Sequence, residues 1–253
     1  MPKTDKPLLL LDEKNKKFIV WPSRGTIEID GLGVVDSDKL AGQKSGSIIN
    51  IAGKEYLLLE TSLLDILYCI KRGPQWIMPK DSGQIVLECN IGPGKNVLEI
   101  GAGNAALTIV LAYFVGSGGK VISYEFNPKF AHLAKRNIEF AGMSGIVELR
   151  EEDAAKCNEL DAYDAVIMDV PQPWDLLDMS TKSLRVSGHL CAYVPTMNQA
   201  ENIVKKMRNA GYSDTKVIEN LQRELVVGEH GTRPSFEMLG HTGYICLGRK
   251  IRA

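Results

Sequence analysis

Residues 97–108 read Val97-Leu98-Glu99-Ile100-Gly101-Ala102-Gly103-Asn104-Ala105-Ala106-Leu107-Thr108. Val97, Leu98 and Ile100 form the apolar run of a buried parallel strand, Gly101 and Gly103 let backbone crowd a ligand, and Ala105 to Ala112 favour a helix. A strand, a glycine turn and a helix start in this order build a nucleotide-sized site. Glu99 is the odd residue. A carboxylate at the end of an apolar strand is costly unless paired, so it is expected to point into the ligand cleft and not into the core. Lys120-Val121-Ile122-Ser123-Tyr124-Glu125 is a second strand ending in an acid, at about the distance where a nucleotide-binding unit keeps its acceptor for ribose hydroxyls. The pair implies a cofactor containing adenosine. The loop spacing is Gly-x-Gly-x-Ala with an acid two residues before it, whereas a dinucleotide fingerprint wants a third glycine and a helix N-terminus open to pyrophosphate. An acid there disfavours phosphate and suits the ammonium and sulfonium of S-adenosylmethionine. A glycine turn in an ordinary α/β domain is the plainer alternative.

The same alternation of strands and helices extends downstream. Asn127-Pro128 combines a capping residue with a proline suited to the first helical position, and Phe130, Leu133, Ala134, Ile138 and Ala141 make one apolar stripe. Strands are expected at 146–150, 165–169 and 189–194, and helices near 176–184 and 199–209. This predicts a doubly wound, mostly parallel sheet, with Glu99, Glu125, Asp153 and Asp169 all at carboxyl ends of strands, where such sheets bind ligands. Upstream, residues 1–60 carry short β-like pieces between glycine turns and are expected to form a small all-β module. Residues 61–71 have helical spacing, with Leu64, Leu67 and Tyr68 on one face. The expected division is therefore 1–60 and 61–253.

The chain has 253 residues, 44% hydrophobic and 24% charged, enough for one α/β domain with a small appendage. No apolar run reaches transmembrane length, and Leu8–Leu11 is too short for a signal-peptide core, so a cytoplasmic protein is expected. Five cysteines without paired spacing suggest reduced thiols and no metal site. A net charge of -1 exerts no global pull on nucleic acid, so any RNA binding must rest on local basic patches.

Asp164 to Asp169 forms a strand ending in an acid and running into Val170-Pro171-Gln172-Pro173-Trp174. The two prolines stiffen the turn, which is useful where a flat substrate is held against a reactive methyl group; turn chemistry alone is the bland reading. With Arg72-Gly73-Pro74-Gln75, Pro79-Lys80-Asp81, Tyr124-Glu125, Glu152-Asp153, Pro195-Thr196 with Gln199, Arg233-Pro234 and Gly240-His241-Thr242, the chain resembles the tRNA adenine-58 N1-methyltransferases, above all their archaeal branch, which also methylates position 57. The resemblance implies a Rossmann-like class I methyltransferase α/β sheet with a small N-terminal all-β module, a homotetramer, S-adenosylmethionine as cofactor and tRNA as substrate. It implies that Glu125 accepts the ribose hydroxyls, that Asp153 meets the adenine amine of the cofactor, and that Gln75 and the loop of Glu99, Gly101, Gly103, Asn104, Ala105 and Ala106 hold its methionine part. Asp169 would be the catalytic residue, facing both cofactor and target base. Trp76, Met78, Lys80 and Trp174 would lie on the substrate side, with Trp174 or Trp76 stacking on a flipped base. Lys14, Lys16, Lys17, Lys80, Lys205, Lys206 and Arg208 are candidates for phosphate contact or simply solvated charges. His241 reads as a structural support.

Three positions depart from the family: Ala105 stands for glycine, Met78 for tyrosine, and Leu225 for the tryptophan two residues after Arg223. Ala105 is harmless at negative φ and strained at positive φ. Met78 removes an aromatic face and a hydroxyl from the expected target side. Two other readings remain: a non-catalytic tRNA-binding subunit, and a class I methyltransferase for a small molecule or protein. Four retained acids at strand ends, which repel phosphate, argue against the first.

Overall fold

The computed structural model describes residues 6–22 and 24–252. It divides into two compact units, one ending at Ile70 and the other starting at Lys71.

The N-terminal unit contains β1 (Leu8–Leu11), β2 (Lys17–Val20), β3 (Thr26–Ile29), β4 (Gly33–Asp36), β5 (Ile48–Ile51), β6 (Lys54–Glu60) and α1 (Leu63–Cys69). Four of the strands form an antiparallel sheet in the order β2-β1-β6-β5, and β3 and β4 form a hairpin. Leu10, Phe18, Val20, Tyr56 and Leu58 make its core. Helix α1 begins at a capping box in which the Ser62 hydroxyl and the Asp65 carboxylate satisfy each other's backbone N–H. Asp65 also pairs with Lys17 of β2 at 2.5 Å. That tie makes α1 part of this unit, so the boundary falls ten residues later than the composition change at residue 60. The helix also buries a different face from the expected one. Ile66 and Leu67 are buried while Leu64 and Tyr68 are about half exposed, because the ion pair to β2 turns the Asp65 flank inward.

The second unit contains α2 (Pro79–Glu88), β7 (Asn96–Ile100), α3 (Ala106–Val115), β8 (Lys120–Tyr124), α4 (Pro128–Phe140), β9 (Val147–Arg150), β10 (Tyr163–Met168), α5 (Leu177–Ser183), β11 (Leu184–Val194), α6 (Met197–Asn209), β12 (Tyr212–Ile218), β13 (Leu225–Gly228), β14 (Gly231–Pro234) and β15 (Tyr244–Lys250). Seven strands form one sheet in the order β12-β15-β11-β10-β7-β8-β9. Strands β11, β10, β7, β8 and β9 run parallel, and β15 is inserted antiparallel between β11 and β12. The sheet is the expected one, and its antiparallel edge is the common departure of such folds. The chain winds outward from β7 to β9 and then crosses back to β10, so the strand order reverses between β7 and β10. A crevice opens at that switch point, above the carboxyl ends.

Local signals set the helices that flank the crevice. The Asn127 side chain accepts from the Lys129 N–H and Pro128 opens α4. Of the expected stripe, Ala134, Ile138 and Ala141 are buried, while Phe130 lies at the crevice and Leu133 lies under Gly73. Thr196 caps α6 through the Gln199 N–H. One face of the sheet is closed by Leu98, Ile100, Val166, Met168, Leu190 and Ala192 against Ala200, Ile203 and Met207 of α6.

Candidate active site

The glycine turn is held by three backbone bonds: Gly101 and Ala102 N–H to the Tyr124 carbonyl at 2.9 and 3.1 Å, and Asp169 N–H to the Ile100 carbonyl at 2.8 Å. These bonds draw the ends of β7, β8 and β10 together. A Cβ at Gly101 would lie 2.3 Å from the Asp169 carbonyl oxygen, and φ there is +93°, so only glycine fits. Gly103 also has positive φ, and its N–H donates to Glu125 Oε2 at 2.9 Å, while Asn127 N–H donates to Glu125 Oε1 at 2.9 Å. Two backbone donors aim the Glu125 carboxylate and leave lone pairs for a ligand's hydroxyls.

A cleft of about 570 Å³ opens over this turn, within the usual range for small-ligand sites. Of the predicted residues, Gln75, Gly101, Gly103, Glu125, Asp153 and Asp169 line it together. Glu152 brings its acidic side chains to four, and no lysine, arginine or histidine lines it. Such a wall favours a cation and disfavours phosphate. Among the described residues no group of three or more His, Cys, Asp and Glu could hold a metal ion.

Glu99 corrects the expectation that it faces the ligand. It is 1% exposed and lies behind the turn, where Thr108 and Ser123 hydroxyls each donate to Oε2 at 2.6 Å. Those hydroxyls lie 9 and 24 residues further along the chain, on α3 and β8, and meet Glu99 only in the folded sheet. Oε1 has no donor. Burial, set against the two hydroxyl bonds, raises the Glu99 pKa to about 7. Burial first, then the neighbouring Glu125 charge, also lifts Asp169 to about 7. Asn104, Ala105 and Ala106 are buried beneath the loop. Asn104 Oδ1 accepts from the Ala106 N–H and its carbonyl accepts from Asn137 Nδ2, so it braces the turn.

Ala105 resolves to the strained alternative, at φ +64° and ψ +20° with no exposure. The loop still keeps the Ala105 N–H bond to Ala102 and the Ile109 N–H bond to Ala105. Ala105→Gly relieves about 1–2 kcal/mol of left-handed strain. It loses about 0.8 kcal/mol of methyl burial and about as much again to unfolded-state entropy. The expected change is under about 1 kcal/mol in either direction. Ala105→Val adds a branched side chain in the same conformation with no space around it, and destabilises by about 3 kcal/mol or more. Thermal unfolding of both variants checks the contrast.

On the expected substrate side, Trp76, Met78, Lys80 and Trp174 do not line the cleft. Arg72 lies over the Trp76 ring at 5.1 Å, Met78 is the N-cap of α2, and Trp174 packs on the core beneath α5 and α6. Lys80 is not free for phosphate. Its ammonium donates to both Asp81 oxygens at 2.8 and 2.9 Å, to the Asn220 carbonyl at 2.8 Å and to the Thr242 hydroxyl at 2.7 Å. Asp81 is fully buried and accepts also from Thr242 and from the Tyr193 hydroxyl at 3.1 Å. The network thus sets Tyr193, a cleft residue that sequence reasoning missed. A Cβ at Gly243 would fall 2.4 Å from the Tyr193 ring, so this glycine makes room for it. Phe126, exposed at the cleft mouth, was also missed, although its place directly after Glu125 was the available signal.

Of the other basic candidates, Lys17 pairs with Asp65, Lys205 with Glu201, and Arg208 bonds Thr215. His241 supports the rim. Its Nδ1 lies 2.7 Å from Glu219 Oε1 and its Nε2 2.7 Å from the Pro195 carbonyl. Both partners accept, so the imidazolium satisfies both, and the Glu219 bond raises its pKa. Gln199 closes the opposite part of the rim by donating from Nε2 to the Pro171 carbonyl at 3.1 Å.

A family model described as the tRNA methyltransferase complex GCD14 subunit matches residues 56–235. The tRNA (adenine(57)-N(1)/adenine(58)-N(1))-methyltransferase TrmI of Methanocaldococcus jannaschii is 31% identical, over 95% of this chain and 94% of the relative. Among solved structures, a Thermotoga maritima protein described as a SAM-dependent O-methyltransferase is similar with a TM-score of 0.82 and 30% identity, over 99% of this chain and 95% of that one. The tRNA (m1A58) methyltransferase TrmI of Aquifex aeolicus is similar with a TM-score of 0.76 and 27% identity, over 99% of both chains.

Proposed function

The chain belongs to the family of the tRNA methyltransferase complex GCD14 subunit, and from this premise we propose that it transfers a methyl group from S-adenosylmethionine to N1 of adenine 58, and also 57, in the T-loop of tRNA. The observation that carries the reading is the cleft itself, with four acids and no cation at the switch point of the sheet. Its chemistry fits a cationic adenosine cofactor, and the glycine at 101 leaves the close approach that a side chain would block.

In this reading Glu125, aimed by two N–H donors, accepts the ribose hydroxyls. Asp153 meets the adenine amine of the cofactor, and Gln75 with Gly101 and Gly103 holds the methionine end. Glu99, Asn104, Ala105 and Ala106 support the loop from beneath. S-adenosylmethionine supplies an electrophilic methyl group on a sulfonium sulfur. Adenine N1 already carries a lone pair, so no base has to remove a proton before the bond forms. Asp169 accepts a hydrogen bond from the exocyclic amine of the target and so favours the positive charge that develops on the base. The target adenosine must leave its stack to reach this depth. Tyr193 and Pro195 bound the cleft beside Asp169.

Asp169 has to be ionised for this role. Its folded pKa of about 7 lies above the usual carboxylate value, as does that of Glu99. The protonated forms therefore favour the unliganded fold, with their contribution complete below about pH 4 and lost as pH rises through 7. A cationic ligand favours the ionised form instead. Cofactor affinity is expected to rise between pH 6 and pH 8 and then level off, with a weaker rise in Asp169→Asn; calorimetric titration across that range measures it.

A homotetramer is part of the proposal. The hairpin β13–β14 and its flanks expose Leu225, Val227, Phe236 and Leu239, an apolar surface of the kind that subunit contact covers. So is residence in the cytoplasm, supported by five cysteines that are free thiols; among the described residues no helix is long and apolar enough to cross a membrane. The division of labour is also proposed: residues 71–253 carry the cofactor cleft, and the N-terminal unit is accessory to it.

Transfer of labelled methyl to unmodified tRNA, with the product nucleoside identified and mapped, tests the whole reading. N1-methyladenosine in the T-loop is the expected product. Tight cofactor binding without transfer to tRNA would move the assignment to another acceptor, such as the oxygen nucleophile in the description of the Thermotoga protein.

A further inference from the structure

The cationic residues beside the cleft are not the ones whose clustering stands out in the sequence. Segment 71–75 is tied to α4: Lys71 N–H donates to Asn137 Oδ1 at 3.0 Å and Asn137 Nδ2 donates back to the Lys71 carbonyl at 3.0 Å. Gly73 sits directly on Leu133, where an added Cβ would lie 2.4 Å from Cδ2. This places exposed Lys71 and Arg72 over α4, and the same segment continues through Pro74 and Gln75 into the cleft wall. On α4, Lys129 and Arg136 stand four residues before and three after Leu133 and share its flank. Both are exposed, and among the described residues none of the four cations forms an ion pair. Exposed Phe126 lies at the cleft mouth, one turn before Lys129. Glu139 is the acid of α4 and lies farther round the helix than Arg136.

Acids lie on another part of the rim. Glu152 and Asp153 line the cleft, and exposed Asp175 and Asp178 follow Asp169. A polyanion is repelled there and attracted on the α4 side. A net charge of -1 conceals this asymmetry.

We infer that Lys71, Arg72, Lys129 and Arg136 form a cationic shoulder on which the sugar-phosphate backbone of the RNA substrate rests while the target base enters the cleft. The inference rests on the RNA-methylating function proposed above and adds the direction of approach. Phosphate contacts position a strand without reading its sequence, so the shoulder acts on affinity and not on the chemical step.

The test is the triple variant Arg72→Gln, Lys129→Gln, Arg136→Gln, with Lys205→Gln, Lys206→Gln on α6 as control, using unmodified tRNA and S-adenosylmethionine as probes. Each lost contact is expected to reduce the slope of log affinity against log salt by about 0.7–0.9, so the triple variant loses about 2–3 units of slope. Its KM for tRNA should rise tenfold or more, with kcat and cofactor Kd unchanged, while the control keeps wild-type values. Wild-type methylation of tRNA together with an unchanged slope in the triple variant overturns the shoulder alone. A wild-type protein that binds cofactor but transfers nothing to tRNA overturns the function on which the shoulder rests.

Discussion

Asp169→Ala is expected to slow methyl transfer to tRNA by about 10²–10³-fold, the usual cost of removing one preorganised group that stabilises transition-state charge. Cofactor affinity should change far less. In the proposed arrangement the ribose end rests on Glu125, whose geometry is set by Gly103 and Asn127 N–H and not by Asp169. The position of Asp169 is set by its own backbone bond to Ile100 and by the Gly101 contact, both of which survive the substitution. Asp169→Asn keeps the shape but loses the charge, so it should share the loss of turnover and lose the rise of rate through pH 7 as well. Single-turnover rates and calorimetric cofactor titration, measured on the same preparations, separate the two quantities. Equal losses of rate and cofactor affinity would remove Asp169 from the catalytic role and make it a binding residue.

Lys80→Met is expected to destabilise the protein by about 3–5 kcal/mol, because it leaves a buried carboxylate without its cation. The Lys80 side chain is 11% exposed and the Asp81 side chain 0%. Once the ammonium is gone, Asp81 keeps only the hydroxyl donors of Thr242 and Tyr193, and the Asn220 carbonyl loses its donor. The double variant Lys80→Met, Asp81→Leu removes both charges and should recover a large part of the loss. Denaturant unfolding of the two variants gives the comparison. A Lys80→Met protein as stable as the wild type, but weaker on tRNA, would return Lys80 to the phosphate-binding role that its sequence context suggested.

The sheet and its ligand edge were legible from local signals. Apolar runs of strand length ending in Glu99, Glu125 and Asp169, the glycine turn and the Asn127-Pro128 helix start each act within a few residues. A parallel sheet built from such units has its ligand crevice at the carboxyl ends by topology alone. The sequence argument for a cationic cofactor rested on Glu99, which lies behind the turn; the acids that line the cleft are Glu125, Glu152, Asp153 and Asp169. Helix α1 was legible as a helix but not as to its buried face, because the face was chosen by an ion pair across 48 residues of sequence.

What the sequence by itself determined was therefore the fold class, the strand ends that carry acids and the glycine that the turn demands, since these depend on short-range geometry. Tertiary structure alone decided which of those acids face the cleft. Glu99 was drawn behind the turn by hydroxyls from α3 and β8, while Asp169 stayed at the cleft. It also decided which cations are unpaired: Lys80 is used up by partners as far away as Thr242, 162 residues on, whereas exposed Lys71, unremarked in sequence, is tied by its backbone to Asn137, the neighbour of exposed Arg136 on α4. Burial and pairing are properties of neighbours in space, and a side chain's charge becomes function only once those neighbours are set.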